Sequence, residues 1–253
     1  MSIKLGCDIL KKYIRTLLPS TCQNTSKMSD MESSSPEDIV IIPFEPRFQV
    51  EVEQLFRDGL SPKTYDYGPT IAASQKGFVA SKLSKEKGGD MFNIWESYMI
   101  ATNDNIISKT NPSSPPECKY FWVALDKVNQ KVVGHVGVIM STYKPDNSFI
   151  YHSPELNSSN VCELVRMGVH SEYRGKKIGK RLCETLEKHA KEKGMKQMVL
   201  STLERMDLAR FMYEKYGFRL VHTTKIPMEQ LLGPGDWEQL NVVHYVKEVK
   251  DID

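Results

Sequence analysis

One short stretch of this chain gathers the residue types that could hold an anion. Arg174, Lys176, Lys177, Lys180 and Arg181 crowd around Gly175 and Gly179, where a β-rich run gives way to apolar residues at helical spacing. At a helix start four backbone N–H groups lack an intrahelical partner and the macrodipole is positive, so these cations would destabilise a bare terminus. A bound phosphate resolves the conflict, because it accepts those N–H groups and pairs with the basic side chains. Charge alone is equally compatible with a solvated basic face. His135 and His170 are alternative proton carriers, although lone histidines near strand ends are more often structural.

Positioning such a turn takes a strand before it and a helix after it. Residues from Val165 onward read as a buried strand, and Ile178, Leu182, Leu186 and Ala190 recur every four residues, giving the helix one apolar stripe that Gly194 ends. Upstream, Ile39-Val-Ile-Ile42 is a β-branched strand, and Phe48, Val52, Leu55 and Phe56 follow at helical spacing. Tyr120-Phe-Trp-Val-Ala-Leu125 and Lys131-Val-Val-Gly-His-Val-Gly-Val-Ile139 form a hairpin around residues 126–130. Downstream, Met198-Val-Leu200 is a short buried strand, and residues 207–216 form a helix with Leu208, Phe211 and Met212 inward, capped by Gly217. Asn241-Val-Val-His-Tyr-Val246 closes the domain after a Gly-Pro-Gly turn at residues 233–235. Between residues 60 and 117 the pattern is irregular, with helices expected near 78–84 and 91–107 and a Pro-Ser loop at 111–116. Connections this long are usually functional or disordered. The whole reads as an α/β fold: one domain over residues 39–253, a central mixed β-sheet flanked by helices, and a flexible N-terminal arm over residues 1–38.

The spacing Arg174-Gly-Lys-Lys-Ile-Gly179 resembles the Gln/Arg-x-x-Gly-x-Gly/Ala motif with which the GNAT acetyltransferase superfamily binds the pyrophosphate of acetyl-CoA. Glu163-Leu-Val-Arg-Met-Gly-Val169 upstream, Gln197-Met-Val-Leu-Ser-Thr202 and Ala209-Arg-Phe-Met-Tyr-Glu-Lys-Tyr-Gly-Phe218 downstream lie at matching distances. The resemblance covers residues 119–224 firmly and 39–59 loosely, and within the superfamily it is most similar to camello-type N-acetyltransferases. Lys177 departs from the motif, standing where its first glycine would let backbone approach phosphate without a side chain.

What the resemblance implies is a GNAT-like sheet and an acetyl transfer from acetyl-CoA, the cosubstrate, to a primary amine of a small molecule or protein. It implies that Arg174, Gly175, Lys176, Lys177, Ile178, Gly179, Lys180 and Arg181 hold the cofactor's phosphates. It sets the Met167 N–H against the acetyl carbonyl, with Gly168 and Val169 beside the pantetheine. Glu163 takes the place of a general base for the amine, and Tyr213 that of the acid for the leaving sulfur, a phenol near pKa 10 against a thiol near 8.5. Met206 stands where many relatives carry an Asn that contacts pantetheine, a contact that Asp207 or Ser201 would have to supply. The alternative is a catalytically weak or inactive CoA-binding module of the same fold. Lys177 and Met206 favour the module, and Glu163 with Tyr213 favour catalysis.

Composition sets outer bounds. With 253 residues and 40% hydrophobic content the chain can bury a substantial core, and a net charge of +2 argues against a nucleic-acid partner. Cys7, Cys22, Cys118, Cys162 and Cys183 form no Cys-x-x-Cys pair and read as free thiols of a reducing compartment, taken as the cytoplasm, with the nucleus and organelles left open. The six histidines are scattered, so no metal is expected. No run approaches the roughly 18–20 apolar residues of a membrane span, unlike camello relatives that carry a hydrophobic anchor. Residues 2–18 could form a basic amphipathic helix that touches a membrane, serves as a transit peptide or packs on its own domain, and residues 20–38 are a linker by composition. Residues 60–107 and 233–237 would choose the acceptor, and a homodimer is left open.

Overall fold

The computed structural model describes residues 34–59, 90–99, 118–141, 160–226, 229, 235 and 239–249. The arm over residues 1–18, the helices expected near 78–84 and beyond 99, the loop at 111–116 and most of the turn at 233–235 lie outside them.

Seven strands make one sheet: β1 (Ile39–Pro43), β2 (Cys118–Asp126), β3 (Lys131–Ser141), β4 (Val161–Val169), β5 (Gln197–Leu203), β6 (Arg219–Lys225) and β7 (Asn241–Glu248), in the order β1-β2-β3-β4-β5-β7-β6. Every neighbouring pair is antiparallel except β4 with β5. Parallel neighbours need a crossover, and helix α2 (Ile178–Glu192) supplies it. Helix α1 (Gln49–Gly59) follows β1, and helix α3 (Asp207–Lys215) joins β5 to β6.

The hairpin between β2 and β3 turns where Asp126 Oδ1 accepts the Val128 and Asn129 N–H groups, a local competition that ends the strand. The α2 stripe read from spacing is the buried one: Ile178, Leu182, Leu186 and Ala190 pack with Cys162, Leu164, Met198 and Leu200 on one face of the sheet. Burying each large aliphatic side chain there stabilises by about 1.5–3 kcal/mol. On the other face Phe48, Val52 and Leu55 of the α1 region pack with Tyr98, Phe121 and Val123. Cys162 and Cys183 are free and buried in the fold.

Two expectations change. In α3 the inward residues are Ala209, Met212 and Tyr213, with Tyr216 just beyond, whereas Leu208 and Phe211 are 64% and 60% exposed. Both sets have helical spacing, so periodicity over nine residues does not choose between them, and the Tyr213 ring decides by packing against Phe218. Within the stretch expected to be helical from 91 onward, the described part holds a 3₁₀ turn at Asp90–Phe92 and a single wide turn at Trp95–Met99.

Candidate active site

The sheet opens in its middle. β4 and β5 pair from Val161 with Gln197 to Leu164 with Leu200 and then part, β4 staying with β3 and β5 with β7. Just past the parting point the β3–β4 register slips between His135 and Gly137, and Arg166 takes a left-handed φ of 52°. The slip is a β-bulge, and it changes which side chains face which way. Cys162 and Leu164 point to the α2 face, and unbroken alternation would send Arg166 after them. Instead Met167 and Val169 pack on that face, while Val165 and Arg166 both lie on the α1 face.

The bulge is held from the α1 side. The Arg166 guanidinium meets the Asp90 carboxylate through Nε, at 3.1 and 3.0 Å, and through a terminal nitrogen at 2.9 Å. Tyr98 donates its hydroxyl to the same carboxylate. Burial would raise the Asp90 carboxyl, but Arg166 and then Tyr98 outweigh it and hold it below the usual range. His135, fully buried on β3, donates Nδ1–H to the Arg166 carbonyl at 2.5 Å. Its Nε2 has no hydrogen-bond partner among the described residues and lies where a Cβ on Gly168 would approach to 2.7 Å. Burial pushes the imidazole down to about 4, against the pull of that carbonyl. His135 is therefore neutral near pH 7 and serves the Arg166 carbonyl as a donor.

Along the turn that follows β4, Gly175 has φ +82° and Lys177 φ +60°. Lys177 thus adopts the conformation of the glycine it replaces, at about 1 kcal/mol or more for a residue with a Cβ. It occupies the N-cap of α2 without a side-chain cap bond, since an ammonium has only donors to offer. Arg174, Lys177 and Lys180 are exposed there, Lys180 with a partner in Glu184 at 3.3 Å. The other two cations have a different occupation. Lys176 donates to the Ser34 carbonyl at 2.7 Å, and Arg181 to the carbonyls of Pro36 at 2.9 Å and Ile39 at 2.7 Å. These bonds tie the segment leading into β1 to the basic turn, backed by Tyr173, whose hydroxyl donates to the buried Asp126 carboxylate at 2.8 Å. Gly179 faces the tips of Met167 and Met212, at 3.3 and 3.7 Å from where its Cβ would be.

Glu163 and Tyr213 lie on opposite faces of the opening. Tyr213 is buried with the α2-face core and its hydroxyl donates to Met167 Sδ at 3.7 Å, which brings α3 to the bulge. Glu163, half-buried, alternates with Cys162 and Leu164 and so shares its face with Val161, beside the last paired residues of β4 and β5. His170 serves the turn, its Nδ1 accepting the Glu172 N–H at 3.4 Å.

The acetyltransferase (GNAT) family model matches residues 83–218, more than half of the chain. The chain belongs to that family. The probable N-acetyltransferase camello of Xenopus tropicalis is 30% identical over 138 residues, 54% of this chain and 49% of that protein. An uncharacterized N-acetyltransferase of Dictyostelium discoideum is 47% identical over 58 residues, 23% of this chain and 27% of that protein. The chain spans half or less of the length of these curated relatives. Among solved structures, a GNAT-family acetyltransferase of Staphylococcus aureus has a TM-score of 0.51 at 20% identity, covering 84% of this chain and 99% of that one, which shows the shared fold.

Within this GNAT fold Met206 and the two residues expected to supply its polar contact each have a partner in the protein. Met206 Sδ accepts from Thr202, Asp207 pairs with Arg210 at 3.7 Å, and the Ser201 hydroxyl lies 2.9 Å from His244 Nδ1. His244 is buried, burial pushes it down to about 4, and Thr224 meets its other nitrogen at 3.0 Å. Asp90 was beyond sequence reasoning, since it sits in the least patterned stretch of the chain. His135 carried a signal, a lone polar side chain within an apolar strand, but its bond to a carbonyl 31 positions away did not. Among the described residues no helix is long and apolar enough to cross a membrane.

Proposed function

We propose that this GNAT chain is an acetyl-CoA-dependent N-acetyltransferase acting on a primary amine of a small molecule or a protein by direct attack on the thioester. The observation that carries the reading is the parting of β4 from β5 at a bulge, where Met167 lies beside both the basic, uncapped start of α2 and Tyr213. Arg174, Lys177, Lys180 and the first-turn amides of α2 would take the pyrophosphate, with Lys176 and Arg181 holding the turn in place. Glu163 receives a proton from the ammonium, whose pKa near 10 leaves little free amine at neutral pH. The nitrogen–carbon bond then forms, the carbon–sulfur bond breaks, Tyr213 protonates the thiolate, and the nitrogen's surplus proton returns to the Tyr213 phenolate to leave the neutral amide. The buried thiols Cys162 and Cys183 suit a reducing compartment, and we place the protein in the cytoplasm.

The test is acetyl-CoA turnover against an amine library, followed by free thiol release. Glu163→Gln is expected to cut turnover at least about a hundredfold with acetyl-CoA affinity intact and to remove the acidic limb of the rate profile. Tyr213→Phe is expected to lower turnover and erase the alkaline limb. Thiol release from no amine, or acetyl-CoA that does not bind in calorimetry, defeats the proposal.

A further inference from the structure

We infer that His135, Arg166 and Asp90 are positioning residues for the acyl transfer, a brace on the α1 face that aims the Met167 N–H into the opening between β4 and β5. The inference rests on the acetyl-CoA reading above, and its content is which side chains fix the donor. A peptide group is planar and trans, so its C=O and N–H point in opposite directions. The carbonyl of the Arg166–Met167 peptide is held by His135 Nδ1 at 2.5 Å, from β3. Its N–H therefore points away from β3, toward the side on which β4 has lost β5. A donor on a free loop would rotate with its peptide. Here the rotation is blocked at both ends of Arg166: the carbonyl by an imidazole with no exposed surface, the side chain by the Asp90 carboxylate, which Tyr98 also grips.

Three details fit a brace better than ordinary packing. Arg166 keeps a φ of 52° that a residue with a Cβ adopts only when its surroundings impose it. Gly168 leaves room for His135 Nε2, which a Cβ would meet at 2.7 Å. His135 is sandwiched by rings, stacked on Phe121 at 5.8 Å and edge-on to Phe56 at 6.0 Å, so it cannot swing off the carbonyl. Fixed amides of this kind stabilise an oxyanion because they need no reorganisation as charge develops.

The reacting carbonyl itself reports the result. With acetyl-CoA carrying ¹³C at the acetyl carbonyl, the infrared band of the bound thioester is expected at lower wavenumber than that of free acetyl-CoA. His135→Leu and Asp90→Asn are each expected to shrink that shift and to lower kcat at least tenfold, while the acetyl-CoA Kd stays within threefold. His135→Asn keeps an amide donor near the position of Nδ1 and is expected to restore most of the shift and the rate. Should His135→Leu fail to fold, Asp90→Asn decides the matter, because its pair is part-exposed and water can solvate the guanidinium that loses its partner charge. An unchanged carbonyl band and unchanged kcat in Asp90→Asn, with acetyl-CoA bound, overturn the brace and leave the acetyltransferase reading standing. Wild-type protein that does not bind acetyl-CoA overturns both. A loss of Kd in step with kcat shows a general structural role and also overturns the inference.

Discussion

Arg166 and Lys177 share a backbone conformation that side chains rarely adopt, with φ of 52° and 60°, and the protein treats the two residues in opposite ways. Around Arg166 everything that could relax is occupied: the carbonyl by His135, the guanidinium by Asp90, the space beside Gly168 by an imidazole. Around Lys177 the side chain is exposed and offers no cap to the helix it begins. In the first region side chains over-determine the backbone, as suits a donor that must not move. In the second, the cost is left to be offset by whatever accepts the α2 amides, as suits a site that fills and empties.

The comparison breaks most readily at its two glycines. At Gly168 a Cβ would stand 2.7 Å from His135 Nε2, and the imidazole has nowhere to go. Gly168→Ala is expected to cost about 2–3 kcal/mol in chemical denaturation, the upper part of the usual range for overpacking in a closed core. At Gly179 a Cβ would meet the flexible tips of Met167, at 3.3 Å, and Met212, at 3.7 Å, so Gly179→Ala is expected to cost less than about 1 kcal/mol. Equal costs at the two sites would show that the turn is as rigid as the bulge.

The distinction between these regions was only half legible in the sequence. Helix α2, its stripe and the basic turn announce themselves because their signals are local: four-residue spacing, glycines and clustered charge. The parting of β4 and β5 and the face-changing bulge depend on pairings between strands about 30 to 40 residues apart, such as Leu164 with Leu200. Asp90 reaches Arg166 across 76 positions from a stretch without pattern, and no propensity encodes that. Lys176 and Arg181 show what a local signal leaves out. Their charge drew attention to phosphate, while carbonyls of residues 34, 36 and 39 claim their side chains.

Acid sharpens the contrast from the side of the brace. The folded pKa of His135 is depressed to about 4 from an ordinary 6.5, so between these values the unfolded chain binds more protons than the native one. Its contribution is full above pH 6.5 and is lost as pH falls toward 4, with a slope of up to about 1.4 kcal/mol per unit. Asp90, also depressed, adds its loss only as pH falls below its ordinary 3.8. His170, His189 and His244 are lowered too, so the difference between wild type and His135→Asn isolates the one residue. Denaturation midpoints from pH 7 to 4.5 should converge for the two proteins as acid is added. Parallel curves would mean that His135 titrates normally.

At the turn, charge matters more than space. Gly179→Asp adds a carboxylate beside the first-turn amides of α2 and is expected to weaken acetyl-CoA binding at least tenfold, about 1.4 kcal/mol, with little change in the stability of the free protein. Calorimetry checks the first and denaturation the second. An unchanged affinity would place the phosphates elsewhere on the surface.

The smallest effect belongs to Lys177 itself, and its sign is informative. Lys177→Gly removes the cost of a left-handed residue, about 1 kcal/mol, while a glycine gives the unfolded chain more freedom to lose, roughly 0.5–1 kcal/mol. The net is a stability change within about half a kcal/mol of zero. For acetyl-CoA the ammonium's attraction is screened at an exposed site and the relieved backbone can close more tightly, so affinity should shift less than tenfold. The same exchange at Arg166 would forfeit the Asp90 pair and cost several-fold more. Should Lys177→Gly instead lower affinity beyond tenfold with stability unchanged, Lys177 is a phosphate ligand whose strain is kept for binding, and the turn resembles the bulge more than its exposure suggests.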